Sequence, residues 1–207
     1  STIHDVFDEA CRLAYERGAR VTGSELVGMI PLDAIIMAGR HYLKKQNRAL
    51  GVPTKNIVEC AVQSLGLDDV AKFNPDEKII DYAVKKEERP LLSMIQTEFI
   101  DTVSTNSPAP GGGSVSALVG SLGAALSSMV AALTHEKKGM LDSKPLMDEI
   151  GLEAQKLKDR LAFLVDEDTV AFNEVMEANR LPSNNEKEKQ AKIDALETAN
   201  KYAIDIP

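Results

Sequence analysis

The 207-residue chain carries 24 Lys and Arg against 32 Asp and Glu, a net charge of −8, which excludes the basic footprint of a general nucleic-acid binder. A hydrophobic content of 43% suffices for one large or two small domains. With 4% aromatics and no Trp, their cores must be built from Leu, Ile, Val, Ala and Met. Cys11 and Cys60 each sit in a helix-like apolar pattern without CxxC spacing, and read as reduced core thiols of a cytoplasmic protein.

Charges appear at once in STIHDVFDEACR, so no signal-peptide pattern opens the chain. The same stretch offers Ser1 or Thr2 as N-cap, then Ile3, Val6, Phe7, Ala10, Leu13 and Ala14 at amphipathic-helix spacing, with Gly18 as the stop. The β-branched, glycine-punctuated run from Arg20 to Ile30 predicts a strand and turn. Pro31 suits the first turn of a helix through LDAIIMAGRHYLKKQ, and a third helix runs from Thr54 to near Gly66. Residues 75–84 predict one shorter helix. A lone strand cannot close a sheet, so this part is expected to be the tail of an α/β domain. The chain begins in mid-pattern without Met and stops after a helical run at Pro207, and a fragment is expected.

KKEERP at 85–90 has the charge and the proline of a linker. Beyond it only helical periodicity survives: LLSMIQTEFIDTV, a glycine stretch, a long helix from about Lys144 to Ala178, and a last one over about Glu186 to Ile206. That pattern predicts an all-helical bundle.

Between Asp101 and Glu136 there is no acidic or basic residue apart from His135. The helical part of this run could cross a bilayer by length, but Ala, Gly and Ser dominate it, and transfer into hydrocarbon would gain little. Ser116, Gly120 and Ala124 recur at four-residue spacing, as do Ala117, Ser121 and Ala125, so neighbouring backbones can approach closely. A central bundle helix, buried on all sides and joined to oligomer contacts, is the expectation. In front of it stand Gly111, Gly112, Gly113 and Ser114. Free N–H groups there could hold an anion or a polar ring, or the glycines could serve only a tight turn. No P-loop spacing follows.

In LVDEDTVAFNEVMEANRLP, Leu157, Leu161, Leu164, Val165, Phe172, Val175 and Met176 form one apolar stripe at 100° per residue, and Asp168 falls in its middle. Asp166 and Glu167 are expected to face solvent or a flank. A desolvated carboxyl has a pKa raised toward proton-transfer duty, although a structural cap or ion pair would place an Asp there equally well. Asn179 returns to the same face as a possible polar partner. His4 and His41 are scattered, His135 adjoins Lys137 and Lys138, and no metal-ligand spacing or Ser-His-Asp arrangement emerges. The His135–Lys138 cluster could complement a helix dipole or anchor a ligand.

GSELVGMIP, SLGL and FNPDEKIIDYAV resemble the C-terminal end of glutamate formiminotransferase. SPAPGGGSVSALVGSLGAALSSMV and LVDEDTVAFNEVMEANRLP resemble the formiminotetrahydrofolate cyclodeaminase domain, and the two in this order resemble the formiminotransferase-cyclodeaminase family. The resemblance implies a mainly α chain: the end of an α/β, ferredoxin-like transferase subdomain over 1–84, a linker over 85–92, and an all-helical cyclodeaminase bundle over 93–207, each domain incomplete. It implies two folate reactions of histidine degradation, formimino transfer from formiminoglutamate to tetrahydrofolate and cyclisation to 5,10-methenyltetrahydrofolate with loss of ammonia. Asp168 would be the catalytic acid/base. Gly111, Gly112, Gly113, Ser114, Lys137 and Lys138 would bind a polyglutamylated tetrahydrofolate, and no metal is implied. Here the lysines sit in Thr134-His135-Glu136-Lys137-Lys138-Gly139-Met140, with Glu where the family often has Gly, and no aromatic after them. The family also implies a homo-oligomer, a dimer-based ring that is octameric when intact, with no nucleic acid and no membrane span. The alternative is a helical oligomerisation module in which Asp168 is structural and the fragment inactive.

Overall fold

The computed structural model describes residues 2–84 and 89–206, almost all of them in or between helices. The chain separates into two compact units, Ser1–Glu87 with Ser127–Gln155, and Glu88–Leu126 with Lys156–Pro207.

The first unit opens with α1 (Ile3–Glu16), where Asp5 reaches back to accept the Thr2 backbone N–H at 3.1 Å. Its centre is the pair α2 (Leu32–Lys45) and α3 (Thr54–Ser64), which bury Ile35, Ala38, Tyr42 and Leu43 against Ile57, Val58, Ala61 and Val62. A Cβ on Gly39 would overlap the Ile57 backbone, so glycine lets the two helices meet at their backbones. Pro31 stands at the N-cap of α2, and the Leu32 N–H finds its acceptor in Asp81 at 2.8 Å.

The strand expected over Arg20–Ile30 does not form. Among the described residues the extended backbone pairs only at Ile30, a single parallel bridge to Ile79, because one extended segment has no second strand beside it to build a ladder. That bridge also divides the helix expected over 75–84 into α4 (Pro75–Lys78) and α5 (Ile80–Val84). Between them the wholly buried Ile79 adopts an extended conformation, while the Ile80 N–H donates to the Ile30 carbonyl at 3.0 Å. Residues 85–88 of the expected linker lie outside the described residues.

The second unit contains α6 (Pro90–Ser93), α7 (Gln96–Val103), the start of α8 (Gly112–Glu136), most of α9 (Lys144–Arg180) and α10 (Glu186–Asp205). Leu91, Phe99, Ala117 and Val165 are its buried apolar centre, with Met94, Val103, Val115, Leu118 and Leu164 around them. Lys192 closes the C-terminal end of α9 by donating to the carbonyls of Asn179 at 2.7 Å and Leu181 at 3.2 Å.

Helix α8 corrects the expectation of burial on all sides. Its small residues face inward: Ala117, Ser121, Ser128 and Ala131 are buried, and the hydroxyls of Ser121 and Ser128 donate to the carbonyls of Lys158 and Gly51, both at 2.9 Å. Most of its large residues face outward, with Val119 62%, Leu126 58% and Leu133 62% exposed and Leu122, Met129 and Val130 beside them, while Val115 and Leu118 pack on the buried centre. The buried positions from Ser114 to Ala131 carry small side chains, which fit where backbones pack closely. By length and composition alone this helix is apolar enough to cross a membrane.

Candidate active site

The site lies within the second unit, where the first turn of α8 meets the middle of α9. The glycines expected in a loop ahead of the helix are partly inside it: α8 begins at Gly112, and the Val115 N–H donates to the Gly111 carbonyl at 3.1 Å. A helix start presents unpaired N–H groups and the positive end of the dipole, so an anion is favoured there. The anion that fills the place is the protein's own. Asp168 Oδ2 accepts the Ser114 backbone N–H at 2.8 Å and the Ser114 hydroxyl at 3.0 Å.

This contact depends on Gly113, because a Cβ there would overlap the Asp168 carboxylate. The glycine run therefore serves a close approach between helix backbone and acid, a requirement that a simple turn does not impose. Ser114 is 0% exposed, and a second hydroxyl, that of Thr169, lies 3.3 Å from its own. Asp168 itself is half-buried. Its other oxygen, Oδ1, makes no hydrogen bond among the described residues.

Asp168 borders a cleft of about 550 Å³, formed with Gly112, Gly113, Ser116 and Ala117 of α8, Leu161 and Leu164 of α9, and Ile206. That size and its largely apolar wall with one ionisable group suit a small-molecule site. The two neighbouring acids differ from expectation, being half-buried rather than solvent-facing. Asp166 accepts the N–H groups of Leu91 at 2.9 Å and Leu92 at 3.1 Å, holding the start of α6. Glu167 accepts the hydroxyl of Tyr202 on α10, and that hydrogen bond, with burial and the Glu167 charge, pushes the Tyr202 phenol up to about 12. Three consecutive carboxylates thus tie α9 to three different helices, and only Asp168 borders the cleft.

The structure does not bring together every residue the sequence singled out. Asn179 turns its amide back to the Val175 carbonyl at 3.0 Å and has no bond to Asp168. Lys137 and Lys138 belong to the first unit, are exposed, and are not among the residues lining the cleft. His135 is separated from them by burial, its Nε2 lying 3.6 Å from Asp148. Ser114 belongs to the site but turns its hydroxyl to Asp168 and not to the cleft. Missed altogether were the cap that Asp166 supplies and the hydroxyl of Thr169. A hydroxyl residue adjoining the singled-out acid was the available signal for the second. Among the described residues, no group of three or more His, Cys, Asp or Glu could hold a metal ion.

Residues 96–207 match the family model described as Formiminotransferase-cyclodeaminase, and residues 1–85 match the Formiminotransferase domain. The chain belongs to the formiminotransferase-cyclodeaminase family. It is 34% identical to the formimidoyltransferase-cyclodeaminase of Gallus gallus over 207 residues, which are 99% of this chain and 38% of that protein. Its identity to the Mus musculus protein of the same name is 36% over 209 residues, covering 100% of this chain and 38% of the relative. The methenyltetrahydrofolate cyclohydrolase of Methylorubrum extorquens is 36% identical over 109 residues, 53% of this chain and 52% of that protein. The chain spans about two-fifths of the length of the formiminotransferase-cyclodeaminases it matches.

Proposed function

We propose that this chain carries the cyclodeaminase site of a folate enzyme of histidine degradation, one that converts 5-formiminotetrahydrofolate to 5,10-methenyltetrahydrofolate and ammonia. A glutamate formiminotransferase, part of which is residues 1–84, would supply the substrate. The observation that carries the reading is the single carboxylate, Asp168, held at the edge of a cleft by the first turn of α8.

Ring closure joins N10 to the formimino carbon. N10 must lose a proton, and the carbon–nitrogen bond to the departing ammonia breaks only after that nitrogen has been protonated. One carboxylate can take the first proton and return it in the second step. Gly112 and Gly113, lacking side chains, let the reacting end of the folate approach the helix start beside this acid. Lys137 and Lys138, exposed cations of the first unit, would hold the anionic tail of the folate. The finer assignments are a ferredoxin-like origin for residues 1–84, supported by the extended backbone at Ile30 and Ile79, and a cytoplasmic, polyglutamate-accepting homo-oligomer without a membrane span. Self-association is supported by the uncovered apolar face of α8.

The test is Asp168→Asn in the full-length protein, followed by formation of the methenyl product. Turnover should fall by roughly a hundredfold or more, since proton transfer by a placed group contributes about 10²–10⁴. Near-normal turnover in a normally folded variant would overturn the assignment.

A further inference from the structure

Two donors converge on one oxygen of Asp168, and both belong to Ser114. A serine hydroxyl has one proton, and here it is directed at the carboxylate. The Thr169 hydroxyl, 3.3 Å away, can then meet Ser114 Oγ only as a donor. The result is a directed chain, Thr169 to Ser114 to Asp168. Ser114 is 0% exposed, so its hydroxyl has no path to a ligand in the cleft.

We propose that Ser114 is a positioning residue, oriented by Thr169, which occupies Oδ2 of Asp168 and so leaves Oδ1 as the atom that takes and returns the proton. The inference rests on the cyclodeaminase reading and deepens it by assigning work to each oxygen of the acid. Two hydrogen bonds occupy Oδ2 and leave it little room to meet a further proton donor. Oδ1, without a hydrogen bond among the described residues, stays open to a proton and lies against Gly113 at the cleft wall. The same bonds fix the rotation of the carboxylate, and a proton acceptor must be held within hydrogen-bond reach of the reacting nitrogen.

The experiment compares Ser114→Ala, Thr169→Val and Asp168→Asn in the full-length protein, using 5-formiminotetrahydrofolate and reading kcat, KM and the pH profile of kcat/KM. A hydrogen bond to an ionised group is worth enough for roughly a tenfold change, so S114A should lower kcat about tenfold with little change in KM. Loss of a donor to the anion removes support for its charged form, and the acid limb of the profile should move to higher pH. T169V should move it the same way by less. A residue that merely fills space would alter thermal stability and leave the acid limb in place. An inactive D168N beside an S114A enzyme with the wild-type pH profile overturns the positioning role alone. A fully active D168N overturns the reading beneath it, and the inference with it. Should S114A fail to fold, T169V decides by the same readout: a displaced acid limb supports the chain of hydroxyls, and an unchanged one overturns it.

Discussion

Each unit is held together by its own chemistry. In the first, large aliphatic side chains close the core, with Ile35 and Ile79 wholly buried and Leu43 nearly so. In the second, the apolar centre is small, and carboxylates of α9 make ties that side-chain volume makes elsewhere: Asp166 to α6, Glu167 to α10 and Asp168 to α8. Burial of aliphatic area stabilises without direction, whereas a carboxylate with two donors fixes an orientation. The unit that carries the cleft is the one built on directional contacts. For the role proposed for Asp168, placement counts for more than the bulk of its surroundings.

The sharpest way to break this contrast is Gly113→Ala. The added methyl group takes the space of the Asp168 carboxylate, and displacement by about 1 Å can cost roughly a hundredfold in rate. We expect methenyl product formation in the full-length protein to fall on that order, and the urea midpoint to fall as well, since the displaced carboxylate is the tie between α9 and α8. Wild-type turnover in G113A would show that the close approach is dispensable.

Next in size is Leu43→Ala, which removes a 1%-exposed side chain from the first unit and should cost about 3 kcal/mol in denaturant unfolding. A loss near zero would mean that the aliphatic core is not what holds that unit.

The smallest expected effect lies in a polar cluster of the first unit, centred on Asp8. Burial pushes the Asp8 carboxyl up, but hydrogen bonds from Lys45 and His41 and the Lys45 charge outweigh it and hold it below its ordinary value. Tyr42 also donates to Asp8, at 3.2 Å, and His4 stacks on His41 with ring centroids 4.3 Å apart. Because the folded value is depressed, the Asp8 contribution is fully present above about pH 4 and is lost as pH falls through the lowered value. Asp8→Asn should therefore flatten the acid side of the stability profile slightly. The partial exposure of Asp8 keeps the effect small, and an unchanged profile would remove Asp8 from the account.

Most helices of both units were legible because apolar spacing, Pro31 and Gly66 are local signals that act within a few residues, whereas the break at Ile79 depends on a partner at Ile30. Asp168 was legible for the same reason: its angular position on α9 places it in the apolar stripe whatever that stripe packs against. The strand over 20–30 was misread because β-branched residues show only that a segment can extend, and a ladder needs a neighbour. Helix α8 was misread because periodicity reports which residues share a face, and not how many neighbours the helix has.

The sequence by itself determined most of the helical elements, the family resemblance and the place of Asp168 in the apolar stripe, since each depends on residue type and short-range spacing. Only the tertiary structure decided that Gly113 makes room for a carboxylate, that Ser114 turns away from the cleft, and that Asp166 and Glu167 tie down other helices. Those roles are contacts between residues up to 75 positions apart in the chain, and such pairings are set by how helices pack.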